Sequence, residues 1–142
     1  MSRHNARHAL AEADRPAGKP QQRIPAAKLA TYLTEEQIQV QVAQYLDAKL
    51  PSDWRWFHSP NGGHRLKSVA AKLKAQGVKP GVPDICILRP RGLPIWIELK
   101  AVGGTLTVAQ KEFMAWCVFA GQPFKVCRSV GEVEVFLKQY LA

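Results

Sequence analysis

Three charged side chains, Asp84, Glu98 and Lys100, stand in the segment GVPDICILRPRGLPIWIELK, among residues that otherwise mark buried β-structure. Charge inside a sheet is costly unless it is paired or serves a reaction. The segment reads as a hairpin closed by the loop Pro90-Arg91-Gly92, with Gly92 at the position that favours a left-handed backbone. That loop sets Ile87 opposite Ile95, Cys86 opposite Trp96, Ile85 opposite Ile97 and Asp84 opposite Glu98. Alternation then gives one aliphatic face, Ile85, Ile87, Ile95, Ile97 and Leu99, suited to packing against helices, and sends Asp84, Glu98 and Lys100 to the other. Two carboxylates with Cβ atoms about 5 Å apart repel, and partial burial forces one to stay protonated unless a cation lies between them. Such oxygen donors suit Mg²⁺ or Mn²⁺, with the Leu99 backbone carbonyl as a further ligand. Lys100 adds a positive charge beside the metal, and the combination fits hydrolysis of a phosphodiester. The plainer alternative is that Lys100 merely neutralises two acids on an exposed sheet face.

Several elements must position these groups. TEEQIQVQVAQYLDAKL opens with Thr34 as N-cap and Gln37 three residues on, and places Ile38, Val42, Tyr45 and Leu46 at helical spacing. WRWFHSP reads as an aromatic strand with Trp54 and Trp56 alternating into the core. A second helix is predicted over 66–76, with Gly77 as its stop. Thr107 and Gln110 form a capping-box pattern before Phe113, Met114, Trp116 and Cys117, and Gly121 ends that helix. PFKVCRS is a fourth short strand and VGEVEVFLKQYLA a terminal helix. The expected fold is α/β, a mixed central sheet of about four strands flanked by helices.

The 142 residues suffice for about one domain with its own core. Residues 1–30, rich in Arg, Ala, Pro, Gln and Gly without hydrophobic periodicity, read as a basic disordered arm, and 31–142 as the folded domain. Twenty Lys and Arg against eleven Asp and Glu give a formal charge of +9, which suits a polyanionic partner. The stretch Asn61, Gly62, Gly63, His64, Arg65 and Lys67 combines approachable backbone amides with basic side chains, a candidate clamp for a DNA backbone or an ordinary solvated loop. Lys72, Lys74 and Lys79 would extend that surface. His58 and His64 lack the companions of a zinc site and read as facing DNA or simply packed. Cys86, Cys117 and Cys127, odd in number and set in apolar segments, are expected to be reduced core thiols. No apolar run approaches a membrane span and no secretory signal is visible, so a cytoplasmic location is expected.

Pro83-Asp84 followed by Glu98-Leu99-Lys100 resembles the PD-(D/E)XK nuclease signature. The run GVKPGVPD before the acid and ELKAVGGTLTVAQKEF after it closely resemble the VRR-NUC branch, the virus-type replication and repair nucleases, and SPNGGHR and EEQIQVQVAQYL are similar too. The likeness spans roughly 34–142 and implies a restriction-endonuclease-like fold. It also implies a metal-dependent DNA endonuclease of replication, recombination or repair, with Asp84 and Glu98 on the metal and Lys100 assisting. Gln110 matches a position that supports the active site in this branch, beside its plain role as a cap. The superfamily commonly completes the metal site with an acid on the first helix, here Glu35 or Glu36, the match favouring Glu35; acidic first turns also arise from the helix dipole alone. Short stand-alone members are frequently phage-encoded homodimers, which this chain resembles. A Holliday-junction resolvase on the same fold and a non-catalytic nucleic-acid binding module are the alternatives.

Overall fold

A computed structural model of the chain describes residues 32–60 and 66–141. Its elements run α1 (Glu35–Lys49), β1 (Arg55–His58), α2 (Lys67–Ala75), β2 (Ile85–Leu88), β3 (Ile95–Leu99), α3 (Val108–Ala120), β4 (Phe124–Cys127) and α4 (Val130–Leu141). The four strands form one sheet in the order β1-β2-β3-β4. β1 and β2 are antiparallel, as are β2 and β3, whereas β3 and β4 are parallel. A parallel pair needs a crossover, and α3 supplies it. Among the described residues no helix is long and apolar enough to cross a membrane.

The hairpin register is the one that alternation dictates: Ile85 pairs Ile97, Cys86 pairs Trp96 and Ile87 pairs Ile95. Its aliphatic face is completely buried under Ile38, Val42 and Leu46 of α1 and Val133 and Leu137 of α4. Trp54 and Trp56 pack on the margin of this core, and the Trp56 indole donates to Asp47 Oδ1 at 2.8 Å, fastening the edge strand to α1. The other face lies against α3, where the Trp96 and Phe113 rings meet edge-on with centroids 5.0 Å apart. All three cysteines are free and buried. Burial pushes the Cys86 and Cys117 thiols up to about 11 and Cys127 to about 12, so these are unreactive core groups.

Two local expectations need correction. The left-handed residue of the hairpin turn is Arg91, with φ 56°, and not Gly92. The strands end at Leu88 and resume at Ile95, so the connection is longer than three residues and its reversal falls one position earlier. At Gly92 a Cβ would stand 2.6 Å from Arg89 Nε, so a larger residue there would have to displace only the end of that flexible side chain. Trp54 does not lie within β1; its amide donates to the Pro51 carbonyl at 3.0 Å, which makes it part of the turn before the strand.

Candidate active site

Asp84 immediately precedes β2, Glu98 is the fourth residue of β3, and Lys100 follows that strand. The Asp84 carboxylate ties the two strand ends together, because Leu99 N donates to Asp84 Oδ2 at 2.7 Å. The face is not the exposed one of the plainer reading: Glu98 is 2% exposed and Lys100 7%. The Lys100 ammonium lies 3.4 Å from Glu98 Oε1 and 3.8 Å from Glu35 Oε1.

The capping boxes decide what the helices present here. Thr34 caps α1 through its hydroxyl, which accepts from Gln37 N at 3.2 Å, so the helix begins at Glu35, whose carboxylate faces Lys100. Glu36 lines a cavity together with Glu35 and Asp84. At the start of α3, Gln110 Oε1 accepts from Thr107 N at 2.8 Å while its Nε2 donates to Glu98 Oε1 at 2.8 Å. One amide therefore caps the helix and orients the carboxylate. Gly81, with φ +81°, brings the chain before Asp84 against this same helix start: a Cβ there would stand 2.3 Å from the Ala109 carbonyl oxygen.

Burial, and after it the neighbouring Asp84, pushes Glu98 up to about 7, with Lys100 pulling the other way. Asp84 is raised too, by burial, against the lowering influence of the Leu99 amide and His58. Two carboxylates are thus held closer together than both can comfortably be charged. Asp84 borders an open cavity of about 410 Å³ whose walls also include Glu35, Glu36 and Leu99.

Two contributors escaped sequence reasoning. His58 shares the cavity wall, and its Nδ1 donates to the Asp84 carbonyl at 2.7 Å. Arg128, just after β4, sends Nη1 to the carbonyls of Ala101 and Gly104 at 2.7 and 2.9 Å. Both act on main-chain carbonyls more than twenty residues away, which no spacing of side chains announces. Of the proposed DNA clamp, Asn61, Gly62, Gly63, His64 and Arg65 lie outside the described residues, as does the arm before residue 32; Lys67 opens α2 and is exposed.

No curated protein matches the chain. A solved structure described as a VRR_NUC domain protein is similar to it, with 28% identity and a TM-score of 0.62 over 78% of this chain and 89% of that one. The family model of the VRR-NUC domain matches residues 32–131 and so takes in every residue of the cluster just described. On that match the chain belongs to the VRR-NUC family, and a nuclease-type function goes with it.

Proposed function

We propose that this chain is a divalent-metal-dependent endonuclease that hydrolyses DNA phosphodiester bonds, selects DNA by structure in replication, recombination or repair, and works as a homodimer. The observation that carries this reading is the cluster of buried Glu98 and Lys100 with half-buried Asp84, which borders a cavity, and its bracing by Gln110.

The donor set fits a hard cation. Glu98 is raised to about 7 by burial and by Asp84, and a divalent ion between the two carboxylates would remove that conflict. Among the described residues no group of three or more His, Cys, Asp and Glu side chains is arranged to hold a metal. Two carboxylates and the Leu99 carbonyl remain, which suits Mg²⁺ or Mn²⁺, ions that keep part of their water shell. Bound there, the ion would supply Lewis acidity towards the phosphoryl oxygen. Glu35 pairs with Lys100 in this structure, and serving as a ligand would require it to exchange the ammonium for the ion.

The chain's own groups do the rest. Gln110 and Lys100 both engage Glu98 Oε1, which fixes the carboxylate plane. Lys100, held between Glu98 and Glu35, presents a preorganised positive charge to the negative charge that grows on the phosphate during in-line attack. His58 and the Leu99 amide keep the Asp84 main chain and side chain from turning away.

DNA would reach the site along α2. Between Asp53 and Asp84 the sequence has six Lys and Arg and no acid. Helix α2 buries none of its residues, so Lys67, Lys72 and Lys74 are available to phosphates. Each phosphate neutralised contributes about 0.9 to the slope of log affinity against log salt. Replacing Lys72 and Lys74 by alanine is therefore expected to reduce that slope by about 1.8 in a binding titration on duplex DNA. An unchanged slope would remove α2 from the interface. Light scattering at micromolar concentration checks the homodimer, for which a monomer mass is the contrary result. Comparing cleavage of linear, flapped and four-way DNA identifies the preferred structure, and equal rates on all three would contradict structural selectivity.

A further inference from the structure

We infer that Arg128 is a positioning residue for Lys100, acting through the turn that follows β3. The inference rests on the nuclease reading for its kinetic consequence, but its geometric content stands independently.

The parallel pairing of β3 and β4 ends where Lys100 N donates to the Cys127 carbonyl at 3.0 Å. One residue further along each chain, the two strands part. Residues 101–104 then fold into a turn in which Gly104 N donates to the Ala101 carbonyl at 3.0 Å and Gly103 has φ +84°. A turn at a strand end has little to hold it unless other groups take up its carbonyls. Arg128 does so, spanning the carbonyls of Ala101 and Gly104 with one partly buried nitrogen. Arg128 is itself anchored, since its backbone N–H donates to Glu132 Oε2 at 2.6 Å, and Ser129 Oγ accepts from Glu132 N at 3.1 Å. A charged donor to two neutral acceptors makes a stronger tie than an amide would.

The turn matters because Lys100 rests on it. A Cβ added at Gly104 would lie 3.6 Å from Lys100 Cδ and 3.5 Å from Glu35 Oε1, so the Gly104 main chain floors the lysine stem and borders its acidic partner. Arg128 Nη1 bonds to the Ala101 and Gly104 carbonyls and not to the side chains of Asp84, Glu98, Lys100 or Glu35, so its effect passes through main chain. If the turn is released, the ammonium is freed from a place defined by 3.4 and 3.8 Å contacts. A displacement of about 1 Å at a reacting centre can cost on the order of a hundred-fold in rate.

The test compares Arg128→Ala, Arg128→Lys and Gly104→Ala with wild type. Two readouts are used: single-turnover cleavage with KM for DNA, and reductive methylation of Lys100 followed by mass spectrometry. Arg128→Ala is expected to lower kcat roughly ten- to a hundred-fold with KM unchanged, and to speed methylation of Lys100. Arg128→Lys restores the charge and one carbonyl bond and is expected to recover part of both effects. In a Lys100→Ala background, Arg128→Ala should cost nothing further, because the group it positions is gone. Cys86, 2% exposed in the native fold, is the control: it must stay inert to thiol reagents for a variant to be counted as folded. Should Arg128→Ala fail that control, Gly104→Ala disturbs the same turn from the other side and is expected to unmask Lys100 likewise. Unchanged Lys100 methylation in folded variants would overturn the inference, as would a raised KM with kcat intact, which would make Arg128 a DNA contact. If wild type cut no DNA at all, the methylation result would still decide the positioning role while the nuclease reading failed separately.

Discussion

Replacing Lys100 by alanine is expected to lower the cleavage rate roughly a hundred- to a thousand-fold, the usual cost of removing a preorganised charge from a transition state, while leaving DNA affinity within about two-fold. The expectation follows from where the ammonium sits. It is 7% exposed, so it contributes little to long-range attraction of DNA, which falls to the exposed lysines of α2. It is held by two acids at 3.4 and 3.8 Å, so it acts only on a phosphate brought up to that cluster. Its loss should appear in kcat and not in KM. Single-turnover rates with saturating enzyme, beside a binding titration without metal, separate the two. A variant that cuts at the wild-type rate would remove Lys100 from the chemistry, and one that cuts normally but binds poorly would make it a DNA ligand.

The second large effect concerns stability without metal. Glu98 titrates near 7 in the folded protein against 4.5 for an ordinary glutamate, chiefly because it is buried and then because Asp84 faces it. An acid raised on folding binds more protons in the native state than in the unfolded one, so the metal-free protein should lose stability as pH rises from about 4.5 to about 7 and hold the full loss above that. The loss is roughly 3 kcal/mol. Glu98→Gln keeps an acceptor for Gln110 and removes the charge. At pH 8 in EDTA the variant should be more stable than wild type by about 2 kcal/mol, after allowance for the Lys100 attraction that goes with the carboxylate, and the difference should vanish towards pH 4.5. Urea unfolding at several pH values reads this directly. Added Mn²⁺ should stabilise wild type and leave Glu98→Gln nearly unaffected. A variant less stable than wild type at pH 8 would mean that the Lys100 pairing outweighs the conflict with Asp84.

The hairpin was legible because its alternation is strict: the five aliphatic residues leave no other register that buries them, and the same register forces the charges onto one face. Helix starts were legible because Thr34 with Gln37 and Thr107 with Gln110 carry their own hydrogen-bonding logic. Even the double duty of Gln110 follows from an amide having both donor and acceptor. The turn was less legible, since its left-handed residue depends on where the strands stop pairing, which tertiary packing decides, and Arg91 takes that place at φ 56° although a glycine adjoins it. Between Glu35 and Glu36 the resemblance favours Glu35, whereas an acidic first turn by itself does not distinguish them. Which of them reaches Lys100 depends on helix rotation against the sheet, and with Ile38, Val42 and Leu46 in the core it is Glu35, whose Oε1 lies 3.8 Å from the ammonium. His58 and Arg128 stayed hidden because their partners are main-chain carbonyls, which every residue offers.

The most direct measurement is cleavage of labelled duplex, flapped and four-way DNA by wild type and Asp84→Ala, each with Mg²⁺, with Mn²⁺ and with EDTA. The expected result is cutting by wild type that needs the divalent ion and is lost in the variant, in step with a carboxylate that accepts from Leu99 N at 2.7 Å and borders the cavity. Cutting that persists in EDTA or in Asp84→Ala would contradict the assignment, and tight, salt-sensitive binding by wild type without cutting any substrate would make the chain a nucleic-acid binding module.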